Sequence, residues 1–450
     1  MVKIKIVNPV DCEIISGAKD IYPALSFESE TYRKVQWGNK RVSARKTFIR
    51  KGKYFLTGFL DRVRSYCKQN NIQLEIDDPD GDLSFLPAEN EPMVEGKNIR
   101  EGKWAYQWEL IRAAVNYQRG IIKAATGSGK TTMMLGVISC YPFSQVLFLS
   151  NSHTPLTQFK KALEESQLDK TKIDISTIQS FHKKPFKEYV DKYDIIIIDE
   201  AHEGLRSTGS MYGEVLRKSL APMRLGFTAT LPDDFKARMT MEGLLGPVIG
   251  ELTIQEGTDI GVLAKPKILL KMLPVNPYLK QFRNYQDVYH HGVVASRALN
   301  RQVVKDAISD SEEGTVLILV TEIEHGQNIL AMAKTLYGQD FTFVNGAVDK
   351  DVREEIRQQM IGGKTKVVIA TAVFKKALDV PGLSSVINAC GGKAECQTLQ
   401  MIGRGLRNVT GDKEWVKIRD YFNPNSVHLI KHFGYRLTLY FEEGWLGEEN

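Results

Sequence analysis

The sequence predicts an α/β fold in which one kind of parallel-sheet lobe is used twice, after a small α/β N-terminal domain. Three observations carry this. The 450 residues are too many for one ordinary hydrophobic core. From Gly120 onward, short β-branched runs alternate with amphipathic helical patterns, as strand-helix-strand units require. The run "YDIIIIDE" (193–200) holds four consecutive isoleucines, which suits a strand covered on both faces.

In chain order, residues 1–95 have enough apolar positions for a small domain of their own. Within them, residues 33–53 carry nine Lys or Arg and no acid, with Trp37, Phe48, Tyr54 and Phe55 in or beside the run. Two readings stand for this run. It is a solvated face, or it pairs phosphate contacts with base stacking through residues such as Arg41, Arg45, Lys46 and Arg50. Residues 75–95 hold eight acids, three prolines and no base, the composition of an acidic linker.

The first lobe is expected over 96–255, with strands at 120–126, 145–150, 174–178, 193–200 and 223–230. Residues 256–300 show little periodicity and read as an interlobe connection with some helix. The second lobe is expected over 301–450, with strands at 315–320, 341–345, 366–371 and 384–389.

Composition narrows the class. With 42% hydrophobic and 25% charged residues the chain reads as a globular protein, and no apolar run approaches bilayer length. The start "MVKIKIVNPVDCEIIS" lacks the apolar core of a signal peptide, so a cytoplasmic location is expected, without a membrane partner. Cys12, Cys67, Cys140, Cys390 and Cys396 form no CxxC pair and read as reduced thiols. A net charge of +6 says less than its concentration in residues 33–53.

The chemistry starts at "IIKAATGSGKTT" (121–132), a strand running into a glycine loop and then a helix. Gly127 and Gly129 let backbone N–H groups approach phosphates, and the helix N-terminus favours negative charge, so Thr126 to Thr132, Ser128 included, form the candidate nucleotide cradle. Lys130 is expected to reach the β and γ phosphates of ATP and Thr131 to ligate Mg²⁺. Ala124 stands where the pattern GxxxxGK[ST] has its first glycine. The isoleucine strand delivers Asp199 and Glu200 to its carboxyl end, where α/β sheets bind ligands. Asp199 is suited to hold Mg²⁺ through water, and Glu200 to orient and deprotonate an attacking water.

Residues 199–202 spell DEAH, and together with the phosphate loop they resemble the first motor lobe of a superfamily 2 helicase. In that family the loop commonly begins with Ala or another small residue, as it does here at Ala124. The resemblance implies two RecA-like lobes that bind ATP and Mg²⁺ between them. It implies that Gln107 in "WAYQWELI" reads the adenine edge with Tyr106 or Trp104 packed on it, and that Ser150, Thr177 and Gln179 contact nucleic-acid phosphates. His202, Thr228 and Thr230 would couple the two sites, through "GFTATL". In the second lobe it implies nucleic-acid contact by Thr371 and a nucleotide-side role for Asp379, although Ala377 replaces a usual glycine. Gln400, Gly403, Arg404 and Arg407 of "QMIGRGLR" match the arginine-finger segment, whose planar guanidinium groups neutralise phosphoryl oxygens.

A basic domain ahead of such a motor looks most like the phage UvsW-type DNA helicases. That likeness implies an ATP-dependent helicase or translocase acting on branched or forked DNA in replication, recombination or repair, with no obligate protein partner evident. Three alternatives stay open: an RNA helicase, a restriction motor subunit, and an annealing or structure-specific DNA-binding protein for which ATP is a switch. Intact Glu200, Arg404 and Arg407 speak against the switch.

Overall fold

The computed structural model describes residues 1–35, 38–79, 81, 86–94, 99–232, 234–371, 383–392, 415–442 and 445–446, with backbone alone for 30–35, 38–42, 154, 350 and 442. The chain divides into two compact units, one of residues 1–124 and 129–251, the other of residues 125–128 and 252–450.

The first unit opens with a mixed sheet. β1 (Val2–Ile6) and β2 (Asp11–Ser16) pair antiparallel, and β1 follows the alternation of "VKIKI", with Val2, Ile4 and Ile6 buried and the lysines turned outward. β3 (Ser26–Val35) and β4 (Gly38–Thr47) leave this sheet as a separate two-stranded antiparallel ribbon. β5 (Tyr54–Leu56) and β6 (Leu74–Asp77) complete the order β5-β2-β1-β6.

The larger sheet of this unit comprises β7 (Arg119–Ala124), β8 (Val146–Ser150), β9 (Ile173–Thr177), β10 (Ile195–Asp199), β11 (Met223–Thr228) and β12 (Val248–Leu252), ordered β12-β7-β11-β10-β8-β9. From β7 to β9 every neighbouring pair is parallel. Ile195 to Ile198 are fully buried, as a strand covered on both faces should be.

The N-terminal sheet shares one hydrophobic cluster with this larger one, from Val2 and Phe59 through Leu147 to Leu245. The junction is tight: a Cβ on Gly58 would meet the Glu242 carbonyl oxygen at 2.3 Å, and one on Gly243 would meet the Phe59 ring at 2.6 Å. Arg62 closes it with a two-pronged pair to Glu242, Nε to Oε1 at 2.8 Å and Nη2 to Oε2 at 2.5 Å.

The second unit is built on β13 (Lys265–Met272), β14 (Thr315–Leu319), β15 (Thr342–Val344), β16 (Val367–Ala370), β17 (Leu383–Asn388) and β18 (Trp415–Phe422), all parallel, in the order β13-β18-β17-β14-β16-β15. Each of the nine strands expected from the sequence between residues 120 and 389 is present. Two more were not expected. β12 carries a glycine and a glutamate on a partly exposed edge. β13 lies inside the stretch read as an interlobe connection; it is an edge strand with most side chains partly or fully exposed, so it lacks the apolar run that marked the central strands.

Candidate functional site

Three strand ends lie side by side at the carboxyl edge of the first unit's larger sheet. β7 leads into the glycine loop, β10 ends at Asp199, and β11, between them, ends at Thr228. Asp199 pairs in register with Phe227, and Thr228 with Lys123. Segments about 70 and 100 residues apart in sequence therefore become immediate neighbours.

The loop after β7 has the conformation its glycines allow. Gly127 and Gly129 both take the left-handed region, at φ 89° and 81°. Gly129 is the N-cap of the helix Lys130–Ser139, which has no side-chain cap and no acid in its first turn. Its leading N–H groups are thus left for an anion. A Cβ on Gly129 would stand 2.4 Å from Nε2 of Gln107, which is fully buried and bonds Tyr106 Oη at 3.1 Å. The candidate base reader therefore lies directly against the candidate phosphate cradle. Ala124 is fully buried at the strand end, and its carbonyl accepts a bond from Lys130 Nζ at 3.3 Å.

Lys130 Nζ also stands 3.9 Å from Glu200 Oε1. Asp199 Oδ1 accepts the backbone N–H of Glu200 at 2.9 Å. Although Asp199 keeps part of its surface open, its carboxyl is closely surrounded by protein; burial raises its pKa, the neighbouring Glu200 charge raises it further, and Lys130 pulls it back. A divalent cation beside Asp199 would offset both causes, which suits the Mg²⁺ expected there. Glu200 itself adopts φ 49°, a left-handed conformation uncommon for a residue with a side chain.

After Glu200 the chain makes one short helix, Ala201–Gly204, gripped from two sides. On one side His202 Nδ1 lies 2.7 Å from Thr228 Oγ1, whose hydroxyl donates to the Thr230 carbonyl at 2.7 Å. With that hydroxyl proton committed, Nδ1 of His202 is the donor to Thr228. His202 Nδ1 is also 3.5 Å from Glu200 Oε2, so the imidazole sits between the acid and the β11 end. Gly226 makes the approach possible: a Cβ there would meet Leu245 at 2.5 Å and the Ala201 methyl at 3.1 Å. On the other side Glu203 Oε2 accepts from Asn151 Nδ2 at 3.0 Å, and Asn151 Oδ1 accepts from Gln179 Nε2 at 2.9 Å.

That second chain of bonds runs along the ends of β8 and β9, where Ser150 and Thr177 pair in register. Both residues are buried. The Thr177 hydroxyl donates to Ser180 Oγ at 3.0 Å and accepts from its backbone N–H, capping the helix Ile178–Phe181, and Ser150 Oγ accepts from Ser152 N–H at 3.4 Å. Gln179, by contrast, is exposed and Asn151 half-buried. Sequence reading singled out Gln179 but missed Asn151, Glu203 and Gly226; only the strand order brings them to the site.

Among the N-terminal candidates, Arg45 Nε donates to Ser26 Oγ at 2.9 Å with its guanidinium 5.9 Å from the Tyr22 ring centre, and Arg50 pairs with Asp11. Lys46 is exposed on β4, and Arg41 lies further along the same strand opposite Tyr32. In the second unit Thr371 is buried after β16. Asp379, Ala377, Gln400, Gly403, Arg404 and Arg407 lie outside the described residues.

Comparison with known proteins bears on the family and the fold. Residues 103–233 match the family described as type III restriction enzyme, res subunit, and residues 299–409 match the helicase conserved C-terminal domain. The chain is 28% identical to the DNA 3'-5' translocase XPB2 of Sulfurisphaera tokodaii over 400 residues, 78% of this chain and 86% of the relative. It is 22% identical to the ATP-dependent DNA helicase uvsW of Enterobacteria phage T4 over 463 residues, 93% of this chain and 89% of the relative. Among solved structures, a fragment of a putative HsdR subunit of a type I restriction enzyme from Vibrio vulnificus matches 90% of this chain and 92% of its own, with TM-score 0.54 and 17% identity. The Pyrococcus furiosus Hef helicase domain matches 76% of this chain and all of its own, with TM-score 0.51 and 12% identity. The two solved structures share the fold.

Proposed function

We infer that this chain, which belongs to the superfamily 2 helicases, uses ATP hydrolysis to move along or separate DNA strands, with branched duplex as its substrate. The observation that carries this is the meeting of Lys130, Asp199, Glu200 and the Thr228 network at three adjacent strand ends. In this reading Lys130 leaves the Ala124 carbonyl for the terminal phosphates, and the N–H groups that open the helix after Gly129 hold the phosphate chain. Gln107 and Tyr106 receive the base. Thr131 and Asp199 hold Mg²⁺, which when bound neutralises phosphate oxygens. Glu200 takes the proton of the attacking water, and Arg404, Arg407 and Gln400, carried over from the family resemblance with Asp379, complete the hydrolytic set.

DNA as the track is supported by relatives named as DNA translocase and DNA helicase, and by the basic ribbon. β3 and β4 pair over ten residues each, giving a ribbon about 30 Å long that the major groove of a duplex can admit. Arg33 and Lys40 share one register position toward its end, and Tyr32 and Arg41 the next. Branched DNA is favoured by the likeness to uvsW along nearly the whole chain, N-terminal region included.

The test compares ATP turnover of the intact chain with single-stranded DNA, duplex, a four-way junction and RNA. The junction is expected to stimulate most; strong stimulation by RNA without any by branched DNA would reject the DNA reading. Lys130→Ala and Glu200→Gln are expected to abolish turnover, and Arg407→Ala to spare ATP binding while crippling hydrolysis.

A further inference from the structure

We propose that Asn151 and Glu203 are a positioning pair that carries nucleic-acid occupancy to Glu200. This rests on the reading above that nucleic acid binds at the ends of β8 and β9. The bonds form one continuous path. Gln179 Nε2 donates to the Asn151 carbonyl oxygen at 3.1 Å and to its Oδ1 at 2.9 Å. Asn151 Nδ2 donates to Glu203 Oε2 at 3.0 Å, and the Glu203 backbone N–H donates to the Glu200 carbonyl at 2.9 Å.

Residue 151 has to be an amide for this path to exist. Its oxygen accepts from Gln179 while its nitrogen donates to a carboxylate, and no hydrocarbon or acid side chain can do both. The path ends on the residue best placed to respond. Glu200 is held at φ 49° immediately before a helix of four residues, Ala201–Gly204, which is too short to absorb a displacement within itself. Glu203 pulls on that helix from the nucleic-acid edge, and His202 fixes it to Thr228 on the opposite flank.

Gln179 is the exposed end. When a phosphate oxygen takes its N–H groups, they are withdrawn from Asn151, whose carboxamide is then free to turn and to release or re-aim Glu203. The short helix shifts with it, and Glu200 moves relative to Lys130, which stands 3.9 Å away. Asn151 and Glu203 touch no reacting atom in this scheme; they act through the backbone of Glu200.

The test uses near-isosteric exchanges in the intact chain, reading the ratio of turnover at saturating four-way junction to turnover without DNA. Asn151→Asp sets two carboxylates against each other and is expected to lower that ratio about tenfold, the worth of one hydrogen bond to a charged group. Glu203→Gln still accepts from Asn151 and is expected to keep the ratio. Combining the two restores a bond of reversed polarity, the new amide donating to the new acid, and is expected to recover most of the ratio. The proposal is overturned if Asn151→Asp keeps the wild-type ratio, or if the double variant is no better than Asn151→Asp. A wild-type chain that no nucleic acid stimulates would overturn the proposed function as well.

Discussion

Replacing Thr228 by Val tests whether the His202–Thr228–Thr230 bonds join the end of β10 to that of β11. Valine keeps the shape and removes only the hydroxyl, so no cavity opens. Thr228 is fully buried, and water does not replace what is lost. Two strong bonds of 2.7 Å disappear, one from His202 Nδ1 and one to the Thr230 carbonyl, together with a weaker one from the Thr230 N–H at 3.4 Å. At about 1–3 kcal/mol for each buried polar group deprived of its partner, two groups give about 2–6 kcal/mol. Glu200 Oε2, 3.5 Å from His202 Nδ1, takes up part of the first loss and brings the total to the lower half of that range. For a unit of this size each kcal/mol lowers the melting temperature by roughly 2–4 °C, so a fall of roughly 4–16 °C is expected. Because the freed imidazole then binds Glu200, the base in the proposed function, DNA-stimulated turnover should fall as well. Differential scanning fluorimetry and a coupled ATPase assay read the two effects. Thr228→Ser, which keeps the hydroxyl, should resemble wild type in both. Wild-type behaviour of the Val variant, or equal damage by Ser, would refute the network.

Two further predictions concern single residues. Gly129→Ala forces a side chain into the left-handed region at a cost of about 1–2 kcal/mol and drives Gln107 from its position 2.4 Å away; titration with a fluorescent ATP analogue should show binding weakened at least tenfold, and unchanged affinity would separate Gln107 from the nucleotide site. His325 is fully buried in the second unit, and its Nε2 meets Asn300 Oδ1 at 2.9 Å while the Asn300 amide donates to the Val294 carbonyl, so Nε2 carries the proton and the ring is neutral. Burial lowers its pKa from 6.5 to about 4. The unfolded chain therefore binds the extra proton first, and stability that is complete above pH 6.5 declines as pH falls toward 4, by at most ~3 kcal/mol. Urea titrations of the second unit's transition across that window should show the slope, and His325→Gln should remove it.

How much of this was legible in the sequence depends on what the sequence had to reveal. Strands at the sheet centre were legible because burial on both faces demands apolar runs, as at Ile195 to Ile198. β13, at an edge and largely exposed, carried no such signal. The glycine loop and Asp199–Glu200 stood out in the sequence because the chemistry expected of them requires fixed residue types at fixed spacing. Ser150 and Thr177 were expected to present hydroxyls to a phosphate, yet both are buried and bonded locally: Thr177 caps the short helix Ile178–Phe181, and Ser150 Oγ accepts from the Ser152 N–H. Arg45 stays exposed but has local partners, and a basic run read along one chain does not show that Ser26 and Tyr22 lie beside it.

The partners of Glu200 were hidden for a topological reason. The five parallel strands run in sequence as β7, β8, β9, β10, β11, but in space as β7, β11, β10, β8, β9. The last of these strands in sequence is inserted between β7 and β10, which is why Thr228, and no residue near in sequence, reaches His202. The same insertion leaves β8 and β9 together on the opposite flank of β10, so Asn151 and Gln179 meet the chain after Glu200 from the other side. The short helix Ala201–Gly204 is thus bonded on one flank to the β11 end and on the other to the candidate nucleic-acid edge. Along this sheet edge, a displacement beginning at β8 or β9 has to cross β10, and with it that helix, before it reaches β7 and Lys130. On the proposed function, strand order, more than any single motif, makes Glu200 the point at which track binding and hydrolysis can be joined.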